Sequence, residues 1–212
     1  MHIKKGKGII MNIKLIHFTP LGVADLAISK CWDKKKDTID IDRIYRVANK
    51  NKHSSTIEHI VYSFDVDGIS RACLQELARH RIASLSVKST RYTLKELKDE
   101  KCFNVYSDLD RAGKYCVLTY NEIVDEQIVR SLEGLRQCLA YGVSNDIAKY
   151  CLPESYKTSL VLTINARSLQ NFLSLRSSKA ALWEMRELAS AIFAKIPQKH
   201  RFLFEEFVDE TN

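Results

Sequence analysis

The sequence predicts an α+β fold, an antiparallel or mixed sheet packed with helices, in a single domain over residues 1–212. Three observations carry this. Short runs rich in β-branched and aromatic residues fall at 13–18, 59–66 and 158–164. Longer stretches between and after them repeat apolar residues at helical spacing. Only 7 Gly and 3 Pro occur, and 45% of residues are hydrophobic, so the chain can bury a core and has no composition for long disordered linkers.

In chain order, IKLIHF at 13–18 alternates and is a strand. Residues 21–31 form a short helix and 39–51 another, with Ile41, Ile44, Tyr45 and Ala48 on one stripe. HIVYSFDV at 59–66 is a strand that Asp67-Gly68 breaks, and 69–81 is a helix. Residues 86–93 return as an extended segment, and the polar stretch 95–118 is a surface excursion. Residues 121–141 form a long helix whose buried stripe is Val124, Ile128, Leu132, Leu135 and Leu139. A short helix at 144–150 is closed off by Pro153, and TSLVLTI at 158–164 is a buried strand. Asn165 caps a helix running to about Ser177. Helices at 180–195 and 199–208 complete the chain.

With 33 Lys+Arg against 26 Asp+Glu, the net charge of +7 favours anionic partners: nucleic acid, free nucleotides, phosphorylated cofactors or folates. The six cysteines, Cys31, Cys73, Cys102, Cys116, Cys138 and Cys151, form no C-x-x-C pair, so no metal site is expected. Scattered among apolar residues and without a secretory signal, they fit a reduced, cytoplasmic protein. No stretch reaches the roughly 18 apolar residues of a membrane helix, so no membrane association is expected.

Two helices break their own pattern. At 100° per residue, Ile69, Cys73 and Leu77 define the apolar face of 69–81, and Glu76 and His80 fall on it. Burying such groups unpartnered is costly. They either bond to each other or to backbone, or they meet a ligand. Arg79 and Arg81 complement the helix C-terminal dipole or bind an anion. In the helix after Asn165, the residues Arg167, Gln170, Asn171 and Ser174 share a polar face. Arg176 falls amid the apolar face of Leu169, Phe172 and Leu173. A guanidinium does not deprotonate in proteins, so it needs a carboxylate, carbonyls or an anionic ligand. Asn165, Arg167 and Asn171 gather donors at a helix start, where anions bind.

Arg79-His80-Arg81, seven residues, then Ser89 and, after one more, Arg91-Tyr92 resembles the signature of flavin-dependent thymidylate synthases. His53-Ser54-Ser55-Thr56-Ile57-Glu58-His59 resembles the family's His-x-x-x-x-Glu-His before a strand, and residues 165–176 resemble its Asn-Ala-Arg-Ser helix ending in Asn-Phe-Leu-x-Leu-Arg. The matches span 53–176 in the family's order. The resemblance implies FAD bound by His53, Ser55, Glu58, Arg79, His80, Arg81, Val87, Asn165, Ala166, Arg167 and Asn171. It implies dUMP bound by Glu76, Leu77, Ala78, Arg79, Val87, Lys88, Ser89, Thr90, Arg91, Lys149 and Arg176, with Arg176 activating the uracil. It further implies 5,10-methylenetetrahydrofolate as one-carbon donor, NADPH as reductant, and a homotetramer whose sites combine subunits. The chain departs from the family pattern at Glu76 (Gln, with Gln75 one step earlier), Ser86 (Asn), Val87 (Glu), Lys149 (Arg) and Cys31 (a small polar residue).

Methylating C5 of uracil needs that carbon to be nucleophilic, either by thiolate addition at C6 or by ionisation of N3. Arg176 suits the second route, since a fixed cation stabilises developing negative charge. Ser89 has no evident base partner and is assigned to orientation. No G-x-G-x-x-G occurs, so FAD would not occupy a Rossmann crevice. Two other classes compete. Arg79, Arg81, Lys88, Arg91 and Tyr92 could form a phosphate stripe with a stacking ring on nucleic acid, but this leaves Asn165, Arg167, Asn171 and Arg176 unexplained. The other is a flavin redox protein without methyl transfer.

Overall fold

The structure, a computed structural model, describes residues 11–33 and 38–208. Its elements are β1 (Asn12–Phe18), α1 (Gly22–Cys31), α2 (Ile41–Tyr45, continued by a π turn Arg46–Lys50), a 3-10 turn Ser54–Ile57, β2 (Val61–Ser70), α3 (Arg71–Leu77) and β3 (Ala83–Val87). There follow α4 (Thr90–Thr93), a 3-10 turn Leu94–Leu97, α5 (Leu109–Ala112), α6 (Glu122–Ala140), α7 (Asn145–Ala148) and a 3-10 turn Lys149–Cys151. Then come β4 (Lys157–Asn165), α8 (Ala166–Arg176), α9 (Trp183–Lys195) and 3-10 turns Gln198–Leu203 and Glu205–Phe207. The α+β expectation holds.

The chain divides into two compact units. One comprises Gly68–Gln75 and Val87–Ser159; the other comprises Asn12–Asp67, Glu76–Ser86 and the chain from Leu160 onward. The sheet order is β1-β2-β4-β3. β1 and β2 pair antiparallel, with Ile13 opposite Val66 and an irregularity between Leu15 and His17. The Ser63 and Thr163 hydroxyls meet at 2.9 Å, and the Ala166 N–H donates to the Ile60 carbonyl at 2.8 Å. As one index falls by three the other rises by three, so β2 and β4 are also antiparallel.

The core of the second unit lies under this sheet's alternating side chains. Tyr62, Phe64 and Val66 are fully buried, and Tyr62 and Phe64 stack at 6.3 Å while Phe204 meets Tyr62 edge-on at 5.6 Å. The core of the first unit is built on α6. Asn121 caps that helix by accepting from the Val124 N–H at 3.2 Å, and Ile128, Val129, Leu132, Leu135 and Leu139 are buried. Val124, expected on the buried stripe, is 43% exposed; Asp125 is buried beside it, its carboxylate accepting from the Thr119 and Tyr120 N–H groups at 2.7 and 2.9 Å.

Several boundaries differ from expectation. Asp67-Gly68 does not end β2; Gly68 takes φ +84°, which a residue without Cβ tolerates inside a bent strand. The helix expected over 69–81 is confined to α3, because the Ser70 hydroxyl accepts from the Cys73 N–H at 2.9 Å and sets its start. Residues 86–93 are the end of β3 followed by α4 rather than one extended segment. The stretch 95–118 is not a surface excursion: Leu97, Phe103, Ala112, Cys116 and Val117 are buried, the first four in the same cluster as the α6 stripe. Its polar residues bond locally, with Arg111 reaching Glu100 at 2.9 Å and Asp108 at 2.8 Å. Ile41 is 46% exposed although its stripe partners Ile44 and Ala48 are buried. The last helices begin later or tighten: α9 starts at Trp183, and 199–208 is 3-10 rather than α-helical. Among the described residues no helix is long and apolar enough to cross a membrane, and no cluster of His, Cys, Asp or Glu could hold a metal ion.

Candidate active site

In the second unit, Arg176 at the end of α8 meets the last turn of α3 and the turn that follows it. Its guanidinium contacts the Glu76 carboxylate at 3.0 Å and the Glu76 carbonyl at 3.4 Å, and its Nε donates to Nε2 of His80 at 2.7 Å. Its side chain is 17% exposed. The sequence demanded a partner for this cation, and the partners are the two polar residues that broke the apolar face expected over 69–81.

His80 is buried with its ring edge-on to Phe172, centroids 5.0 Å apart. Burial, then the positive charge of Arg176, pushes its pKa down to about 4 against the opposing pull of Glu76. At neutral pH the ring is therefore uncharged, and accepting at Nε2 leaves the proton on Nδ1. In this state the ring accepts from Arg176 without opposing its charge. The same Glu76 carboxylate lies 3.8 Å from Arg79, whose side chain is 75% exposed. The turn carrying Arg81 is tied to α8 by the Ile82 N–H donating to the Ser168 hydroxyl at 3.1 Å.

Also in the second unit, a cleft of about 290 Å³ is lined by Cys31, Trp32, Lys52, His53, Ser55 and Arg167, among others. Arg167, on the first turn of α8, is paired with Glu58 at 2.5 Å. Asn165 accepts from the Ser168 N–H at 2.8 Å as the cap of α8, so its amide nitrogen is the end left to a ligand. Asn171 is exposed on the helix. Gln170, expected beside it on an open polar face, is instead buried and bonded to the Leu203 carbonyl at 2.8 Å. Ala166 is buried with its N–H given to Ile60, Leu77 is buried as well, and Ala78 is exposed.

The remaining expected residues belong to the first unit. Arg91, in α4, makes a forked pair with Asp146 at 2.7 and 3.3 Å, and Asn145 donates to the Arg91 carbonyl at 2.8 Å. Lys149, in the turn after α7, is half-buried, and its charge helps hold the Asp146 carboxyl below its ordinary value, after the larger effect of the Arg91 hydrogen bond. Val87, Lys88 and Ser89 are exposed and Thr90 is buried. Lys88 lies 3.4 Å from Glu96. With Lys88 and Arg91 each facing a carboxylate, the stripe that would contact nucleic-acid phosphates is partly neutralised.

The donor set suits a phosphorylated cofactor. Exposed Arg79 and Arg81, and a cleft edged by Lys52, His53, Ser55 and Arg167, offer cations and hydroxyls to an anion. Sequence reasoning gave Ser168 no role although it stands in the Asn-Ala-Arg-Ser motif, and it missed Asp146, Lys52 and Trp32, none of which breaks a local pattern.

A family model for thymidylate synthase complementing proteins matches residues 14–200. The chain is 58% identical over 199 residues to a flavin-dependent thymidylate synthase of Wolinella succinogenes, covering 92% of this chain and 97% of that one. It is 56% identical over 205 residues to one of Campylobacter jejuni, covering 92% and 96%. A crystal structure of Thymidylate Synthase X from Helicobacter pylori with FAD and dUMP superposes at a TM-score of 0.88, with 48% identity, covering 94% of this chain and all of that one.

Proposed function

Since the chain belongs to the flavin-dependent thymidylate synthase family, we propose that it methylates dUMP to dTMP with FAD as its bound cofactor. In this reading 5,10-methylenetetrahydrofolate donates the carbon, NADPH is the reductant, and residues 1–212 act as one functional domain in a cytoplasmic homotetramer with shared sites. Nucleic acid and membrane are not partners.

The observation that carries the reading is the fixed cation at Arg176. Its guanidinium is held by Glu76 and by a neutral His80, so it is oriented before substrate arrives. Placed beside uracil, it stabilises the negative charge that spreads from N3 to C5 without reorganising, and so makes C5 nucleophilic. Bound FAD supplies the reducing equivalents. Arg167, His53, Ser55 and Glu58 hold the cofactor at the cleft, with Arg79, Arg81, Asn165 and Asn171 as further donors. Ser89, Thr90, Arg91 and Lys149 orient the nucleotide, and exposed Val87 offers it only an apolar contact.

In this reading the route through Arg176 needs no cysteine nucleophile, neither the buried thiols nor Cys31 at the cleft. Cys73 is buried, and burial raises the Cys116 thiol to about 12. The test is tritium release from dUMP labelled at C5, using yellow, FAD-loaded protein with NADPH and the folate donor. Release that requires all three ligands supports the reading. Flavin reduction without release assigns a redox protein instead, and protein that cannot be loaded with FAD overturns the proposal.

A further inference from the structure

Two thiols outside the proposed chemistry face each other in the first unit. Cys138 lies in the last turn of α6, and its Sγ is 4.0 Å from the Sγ of Cys151. The helix end builds this approach. Gly142 at φ +80° stops α6, its N–H donates to the Leu139 carbonyl at 3.0 Å, and the Val143 N–H donates to the Cys138 carbonyl at 3.0 Å. α7 and the turn Lys149–Cys151 then carry the chain back to Cys138. Cys151 is exposed and Cys138 is half-buried, so a dissolved oxidant can reach the pair from the Cys151 side. A disulfide needs about 2.05 Å between sulfurs, so forming one closes the pair by about 2 Å and draws the turn toward α6. Lys149 stands two residues before Cys151 in that same turn.

We infer that Cys138 and Cys151 form a reversible disulfide that ties the Lys149 turn to α6 and weakens binding of the anionic nucleotide. The effect on binding rests on the proposed assignment of Lys149 to the dUMP phosphate. The oxidant is a small-molecule disulfide. The hydrogen bond to Cys138 raises the Cys151 thiol above its ordinary value, so its minority thiolate attacks the oxidant, forming a mixed disulfide and expelling one thiolate. The Cys138 thiolate then attacks the Cys151 sulfur and expels the second. The two cysteines lose two electrons, and their two protons end on the two released thiols. A dithiol reductant reverses the sequence.

The test uses full-length, FAD-loaded protein equilibrated with oxidised glutathione, alkylated, and mapped by mass spectrometry, with dUMP binding measured calorimetrically before and after. Expected is a Cys138–Cys151 linked peptide removed by dithiothreitol. The dUMP dissociation constant should rise about threefold or more on oxidation, the size of one weakened charged contact, and not rise in Cys151→Ser. Free alkylation of both thiols under oxidation overturns the pair, and an unmoved dUMP constant in fully linked protein overturns its effect on binding. Lys149→Ala separates the underlying reading. It should still give the linked peptide, and unchanged dUMP affinity in its reduced form counts against the phosphate assignment alone.

Discussion

Replacing Arg176 by Ala removes the cation together with its contacts to Glu76 at 3.0 Å and His80 at 2.7 Å. At an effective dielectric of 20 the attraction to Glu76 alone is about 5 kcal/mol gross. Desolvation of a pair 17% and 34% exposed cancels most of it, leaving roughly 1–3 kcal/mol of stability. Against a typical folding stability of about 5–15 kcal/mol, that lowers the melting temperature by several degrees and leaves the site folded at assay temperature. The rate should respond far more, since one preorganised donor to developing charge is worth about 10²–10³. Tritium release per folded, flavin-loaded active site should therefore fall by two to three orders of magnitude, with flavin content and NADPH oxidation retained. Arg176→Lys should recover part of the rate, because the charge returns without the fork. Losing the neighbouring positive charge should also raise the His80 pKa from about 4, readable by NMR titration. Thymidylate formed by well-folded Arg176→Ala within threefold of the parent rate would refute the reasoning, and so would loss of turnover in a folded variant lacking a single cysteine.

Four further outcomes follow from the same geometry. Glu76→Gln keeps the shape but removes the negative charge facing Arg176, so the His80 pKa should fall further in an NMR titration; a rise contradicts the assigned neighbours. Arg167→Ala should lower FAD occupancy, read from the flavin to protein absorbance ratio, while leaving dUMP affinity in reloaded protein near the parent value; full occupancy would mean that Arg167 lines the cleft without holding the cofactor. Burial pushes His80 and His200 from 6.5 to about 4, so the unfolded chain binds more protons and stability is complete above pH 6.5 and lost as pH falls toward 4, by about 1.4 kcal/mol per pH unit for each ring. Urea melts between pH 7 and 5.5, above the ordinary value of 4.5 at which paired carboxylates such as Glu133 begin to lose their contribution, should show a slope that His80→Gln with His200→Gln flattens; an unchanged slope assigns the acid sensitivity elsewhere. Light scattering should give a tetramer, and an active monomer contradicts shared sites.

The sequence by itself determined whatever depends on neighbours a few residues apart: the α+β class, the three strand cores, the stripe of α6 from Ile128 to Leu139, the Asn165 cap, and the discordance of Glu76, His80 and Arg176 with their expected helix faces. The spacing of Arg79-His80-Arg81 to Ser89 and the helix 165–176 carried the family as well. Tertiary structure decided which of the open partners each polar residue takes. Glu76 and Arg176 are a hundred positions apart, so no periodicity could pair them or indicate that His80 is held neutral by burial between a cation and Phe172. The same holds for 95–118, where a polar surface pattern hides Leu97, Phe103 and Cys116 that face α6 across the fold. It holds also for Cys138 and Cys151, unremarkable in sequence until a glycine-terminated helix and a short turn set their sulfurs 4.0 Å apart. Local pattern records which face of an element is apolar; which face meets which is settled only when the elements pack, because burial and charge pairing are properties of that packing.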